Sequence, residues 1–98
     1  MSSIRQLMKQ AQEMQDRLQR EIGELTVEAS VGGGMVSVKM SGHKQLLSVK
    51  IDPEVLDPAD PSMVEDLVLA AVNEANRRVD EGLKEKVGSM AAGMPPLF

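Results

Sequence analysis

The 98-residue chain has no cysteine, which removes disulfides, thiolate metal sites and cysteine nucleophiles together. It has no tyrosine or tryptophan either, and Phe98 is its single aromatic residue. Gripping single strands or RNA loops by stacking bases on aromatic rings is therefore excluded. The one histidine, His43, stands between Gly42 and Lys44, with no second histidine and no carboxylate cluster beside it. It is expected to be a solvent-facing turn residue rather than a metal ligand or a general base. With no nucleophile–base pair and no metal-ligand constellation, neither an enzyme nor a cofactor is expected. Long apolar runs are also missing. The first residues, MSSIRQLMKQAQEM, carry no stretch of signal-peptide type, and no window reaches membrane-spanning length. A soluble, cytoplasmic protein with no membrane partner is expected, and the length suits one domain, 1–98, with a core small enough for an oligomer to add to it.

Basic excess is absent too: the formal net charge is −4, against the habit of nucleic-acid binders. The distribution says more than the total. Residues 1–20 carry Arg5, Lys9, Arg17 and Arg20 against Glu13 and Asp16, and residues 75–98 carry Arg77, Arg78, Lys84 and Lys86 against Asp80, Glu81 and Glu85. Residues 51–74 hold seven acids and no base. Both chain ends are mildly positive, and the acid is concentrated between them.

What is present organises around residues 27–52. Val27, Ala29 and Val31 alternate with Glu28 and Ser30; after Gly32-Gly33-Gly34, Val36, Val38 and Met40 alternate with Ser37 and Lys39. After Ser41-Gly42-His43-Lys44 the alternation returns as Leu47, Val49 and Ile51 against Ser48 and Lys50. Period-two alternation punctuated by glycine predicts an antiparallel three-stranded meander, strands at about 26–31, 35–40 and 45–51, with one face buried. The triple glycine is read as a hairpin turn rather than a phosphate loop, because a strand pattern and not a helix follows it.

Helices flank the meander. Ile4, Leu7, Ala11, Met14, Leu18, Ile22 and Leu25 make a narrow stripe close to a heptad seam, predicting a long helix at about 3–24. The stretch DPEVLDPADP (52–61) has three prolines and four acids. It reads as a turn-rich connector whose aspartates cap and turn the chain; their spacing fits no calcium loop. Asp60 or Ser62 can cap a second long helix at about 62–87, with Gly82 weakening its middle and Gly88 a fair stop. Its face is wide over Val64, Leu67, Val68, Ala71, Val72 and Ala75, then thins to Val79, Leu83 and Val87. The tail, about 89–98, is expected to be loosely ordered. At about 1.5 Å per residue both helices outrun the roughly 20 Å strands. The overhanging ends, basic segments 1–20 and 75–88, are expected to pair through their narrow stripes.

Five fragments in series carry a resemblance. They are Met8-Lys9-Gln10-Ala11-Gln12-Glu13-Met14-Gln15; Gly32-Gly33-Gly34-Met35-Val36-Ser37-Val38; Ser41-Gly42-His43; Val49-Lys50-Ile51-Asp52-Pro53-Glu54; and Glu65-Asp66-Leu67-Val68-Leu69-Ala70-Ala71-Val72-Asn73. With them the chain resembles, over essentially its whole length, the YbaB/EbfC family of bacterial nucleoid-associated proteins. The resemblance implies an α+β fold: an α-β-β-β-α protomer with a three-stranded antiparallel meander flanked by two long helices, forming a tweezer-like homodimer. It implies non-enzymatic binding of double-stranded DNA in the bacterial cytoplasm and nucleoid, with a role in chromosome organisation or gene regulation. Polar and basic residues on the projecting helices make the family's DNA contacts. Carried over, these are Arg5, Lys9, Arg17 and Arg20 on the first helix and Arg77, Arg78, Lys84 and Lys86 on the second.

Two alternatives stay open. Each base can equally be a solvated face residue or an i,i+4 partner, a spacing that Arg17–Glu21 and Arg77–Glu81 possess. The acidic middle also suits an adaptor that binds DNA-repair or replication proteins and has little DNA affinity of its own.

Overall fold

The structure, a computed structural model, describes residues 2–92. Alternation and glycine punctuation produce strands β1 (Thr26–Val31), β2 (Val36–Ser41) and β3 (Leu46–Ile51), an antiparallel sheet in the order β1-β2-β3. The helices are α1 (Ser2–Glu24) and α2 (Pro61–Ala92), completing an α-β-β-β-α protomer. Gly32, Gly33 and Gly34 all take positive φ (63°, 68° and 94°), the left-handed backbone that lets the chain reverse directly into β2. In the second turn the Lys44 N–H donates to the Ser41 carbonyl at 2.8 Å, and the Ser41 N–H donates to the Gln45 carbonyl at 2.9 Å. The connector aspartates act locally: Asp52 Oδ1 accepts from the Glu54 N–H and Asp57 Oδ1 from the Ala59 N–H, each at 2.9 Å.

The core lies between α2 and two of the three strands. Ala71, Ala75 and Val79 pack on Ala29, Val36, Val38 and Met40, all buried. The alanines on both layers let helix and sheet approach closely. α2 runs antiparallel to β1: Leu67 lies against Gly32, and Gly82 lies against Leu25. Gly82, expected only to weaken the helix, makes room here, since a Cβ would stand 3.1 Å from Leu25 Cδ2.

Three expectations are corrected. The apolar face of β3 is not buried: Leu47 is 54% and Val49 41% exposed. A helix about 10 Å across spans two strands spaced about 4.8 Å apart, not three, and α2 takes β1 and β2. A bulge near Met40 also pairs Met40 with Leu46, taking Leu47 out of the expected alternation. Second, the overhangs do not pair along their stripes. Among the described residues α1 meets α2 near its own end, where Lys86 Nζ donates to the Glu21 carbonyl at 3.0 Å. Beyond Lys86, α2 has six described residues, about 9 Å, and the rest of α1 projects past it; the molecule measures 70 × 23 × 15 Å. Ile4, Leu7 and Met14 stay exposed. Third, Gly88 does not stop α2, which continues to Ala92. The rest of the expected loose tail, 93–98, lies outside the described residues.

Candidate nucleic-acid interface

At 100° per residue, Arg5, Lys9 and Arg20 fall within about 60° of one another on α1. The stripe from Ile4 to Ile22 occupies the opposite side of the helix, so the projecting arm has a basic sector backed by an apolar one. Glu13 and Asp16 interrupt the basic sector. Arg17 lies to one side, paired with Glu21 at 3.6 Å.

The α2 cations are differently placed. Arg77 is held between Glu74 and Glu81, at 2.5 Å from each. Arg78 Nε donates to the same Glu74 Oε1 at 3.1 Å, and its Nη1 donates to the Glu28 carbonyl on β1 at 2.8 Å. Hydrogen bonds from Arg77 and then Arg78 lower the Glu74 pKa from its ordinary 4.5 to about 2. Hydrogen bonding to Glu74 raises that of Arg77. Two arginines and two glutamates thus cancel, and Arg78 also ties α2 to the sheet. Lys86 is spent on the Glu21 carbonyl, capping the last turn of α1. Lys84 has no ion-pair partner among the described residues, and neither do Arg5, Lys9 and Arg20.

The eight expected residues are therefore not one patch. Arg5, Lys9 and Arg20 share the arm, Lys84 stands on α2 near the arm's root, and the other four are engaged within the chain. The Arg17–Glu21 and Arg77–Glu81 pairs were legible from their spacing. The Glu74 node follows the same rule, at i+3 and i+4. The Lys86 bond spans 65 positions and has no local signal.

Charge is polarised along the molecule. Asp52, Glu54, Asp57, Asp60, Glu65 and Asp66 are all exposed around the start of α2. That end is separated from the α1 root at Gly82–Lys86 by more than 20 helical residues, about 30 Å. Beside the acids lies an open apolar groove of about 540 Å³, lined chiefly by Ile51, Leu56, Val64, Val68, Leu69 and Val72. It is the part of the apolar layer that α2 leaves uncovered.

The model of the YbaB/EbfC DNA-binding family matches residues 1–94. A nucleoid-associated protein of Xylella fastidiosa is 50% identical over 101 aligned positions, covering 98% of this chain and 92% of that one. One of Koribacter versatilis is 46% identical over 92, covering 94% and 91%. The crystal structure of the uncharacterized protein HP0035 from Helicobacter pylori superposes with a TM-score of 0.74 at 24% identity, covering 93% of this chain and 96% of that one, and so shares the fold. A whole-length family match, relatives near half identity and a common α-β-β-β-α architecture agree: the chain belongs to the YbaB/EbfC DNA-binding family.

Proposed function

We propose that the protein is a nucleoid-associated protein that binds double-stranded DNA as a homodimer, by contact alone and without catalysis, and so organises the chromosome or regulates genes. The observation that carries this is the projecting α1 arm. Its Arg5, Lys9 and Arg20 have no ion-pair partner among the described residues, outnumber Glu13 and Asp16 in their sector, face away from the apolar stripe, and lie remote from the acidic end that phosphates would avoid. Binding is then driven mainly by phosphate contacts and counterion release. The names of the Xylella and Koribacter relatives agree with a nucleoid role, and the family match favours DNA over an adaptor for other proteins. Among the described residues no helix is long and apolar enough to cross a membrane.

The dimer rests on the groove. A second copy that covers Ile51, Leu56, Val68 and Leu69, with the uncovered Leu46 and Val49 of β3, completes an apolar layer that one helix cannot close. Lys84 and Arg17 are placed to add contacts near the arm's root. Arg77, Arg78 and Lys86 serve first to hold helix, sheet and arm together.

The test is fluorescence anisotropy of a labelled duplex between 50 and 200 mM salt, with Arg5→Gln/Lys9→Gln beside the parent. Each lost phosphate contact should reduce the log–log salt slope by about 0.9. The double variant, losing up to four contacts per dimer, should bind clearly more weakly and with a flatter slope. No binding by the parent at 50 mM, or an unchanged slope in the variant, would refute it.

A further inference from the structure

The sheet has a second face, which neither the arm nor the groove uses. Opposite the buried Val36, Val38 and Met40 it carries Ser37 and Lys39, flanked by Glu28 and Ser30 on β1 and by Ser48 and Lys50 on β3. Among the described residues no element packs over it, and Lys39 and Lys50 are exposed without an ion-pair partner. Ser37 pairs with Lys50 and Lys39 with Ser48, so the two lysines are diagonal neighbours, about 7–8 Å apart at the backbone. Between them is a small recess of about 90 Å³, lined by Glu28, Ser37, Lys39, Ser48 and Lys50. Two exposed ammonium groups beside serine hydroxyls supply donors of the kind that contact the phosphates of a strand. Ser30 and Ser37 are hydrogen-bonded through their hydroxyls at 3.0 Å, which keeps the β1–β2 part of this face preorganised.

We infer that this polar sheet face is a second phosphate-binding surface, which takes the backbone of another duplex while the α1 arms hold the first. It rests on the DNA-binding reading above and turns a one-duplex binder into a bridge. The arm tip and this face reach different phosphates, because α1 carries Arg5 and Lys9 most of a 23-residue helix away from the sheet. Glu28 is the feature that limits the site: it lies directly across from Lys39 and opposes a phosphate there. The surface is therefore weak by composition, suited to a reversible crosslink rather than tight binding.

The experiment measures both steps with the full chain. Anisotropy follows binding to one labelled duplex. Bridging is read as capture of a second, fluorescent duplex on beads that carry an unlabelled one. Lys39→Gln/Lys50→Gln should leave one-duplex binding within about threefold. With one copy's sheet face meeting the second duplex, it should flatten the salt dependence of bridging by about 1.8 in log–log slope, about a tenfold smaller change between 50 and 200 mM salt. Glu28→Gln should move bridging the other way, to lower protein concentration. Bridging by the lysine variant at the parent's midpoint would overturn the proposal, as would a parent that binds one duplex and captures no second. A parent that binds no duplex would overturn the DNA reading itself, a different failure seen in the first measurement.

Discussion

Gly42→Ala is the most informative single perturbation of the arm, because the collision it creates is with backbone. Gly42 is buried, and its N–H donates to the Leu25 carbonyl at 2.9 Å. A Cβ there would overlap the carbonyl oxygen of Ile22, at 3.0 Å from the carbonyl carbon and 3.1 Å from Cγ2 of the same residue. Ile22 lies in the last turn of α1, so no side-chain rotation relieves the clash; the root of the arm must shift. Forced overpacking costs about 1–3 kcal/mol where side chains can adjust, and a fixed carbonyl argues for the upper end, about 3 kcal/mol. For a domain of this size that corresponds to a fall in Tm of about 12–24 °C. Gly33→Ala is the control. Nothing lies within 4 Å of its added methyl, and only the +68° φ opposes it, costing about 1–2 kcal/mol. Thermal unfolding followed by circular dichroism decides the matter. Gly42→Ala melting at or above Gly33→Ala would refute the close packing of the arm root on the β2–β3 turn.

Leu69→Asp tests the groove. Leu69 is 62% exposed, so in an isolated protomer the change should cost no more than about 0.5 kcal/mol. If a second copy covers the groove, sedimentation should show a dimer for the parent and a folded monomer for the variant; an unchanged dimer would place the interface elsewhere. The Glu74 cluster predicts acid sensitivity. The Glu74 carboxyl has its folded pKa lowered to about 2 from 4.5, so the unfolded chain binds more protons between those values. Its contribution is present above about pH 4.5 and is lost as pH falls towards 2. Glu74→Gln should be less stable than the parent near neutrality, and the gap should close with acid; a gap independent of pH would show that the arginines do not hold this carboxylate.

Much of the fold was legible because its signals are local. Alternation at Val27–Val31 and Val36–Met40, three glycines that alone tolerate consecutive positive φ, and helical apolar spacing on both flanks act within a few residues of chain. The same locality made Arg77–Glu81 and Arg17–Glu21 readable, and it allowed the basic residues to be found though not sorted. Their sorting depended on distant partners: Arg78 on the Glu28 carbonyl and Lys86 on the Glu21 carbonyl, across 50 and 65 positions.

By itself, then, the sequence determined the elements, their order, the glycine reversals and the charge of each segment, since these follow from backbone sterics, periodicity and composition. Only the tertiary structure decided which strands α2 covers, and hence that β3 and the groove stay open. Only it decided that α1 leaves the body near the end of α2 and leaves Ile4, Leu7 and Met14 exposed, and that four of the eight cations are engaged within the chain. Those outcomes depend on how wide a helix is against a three-stranded sheet and on where two helices meet in space, which no local pattern of residues records.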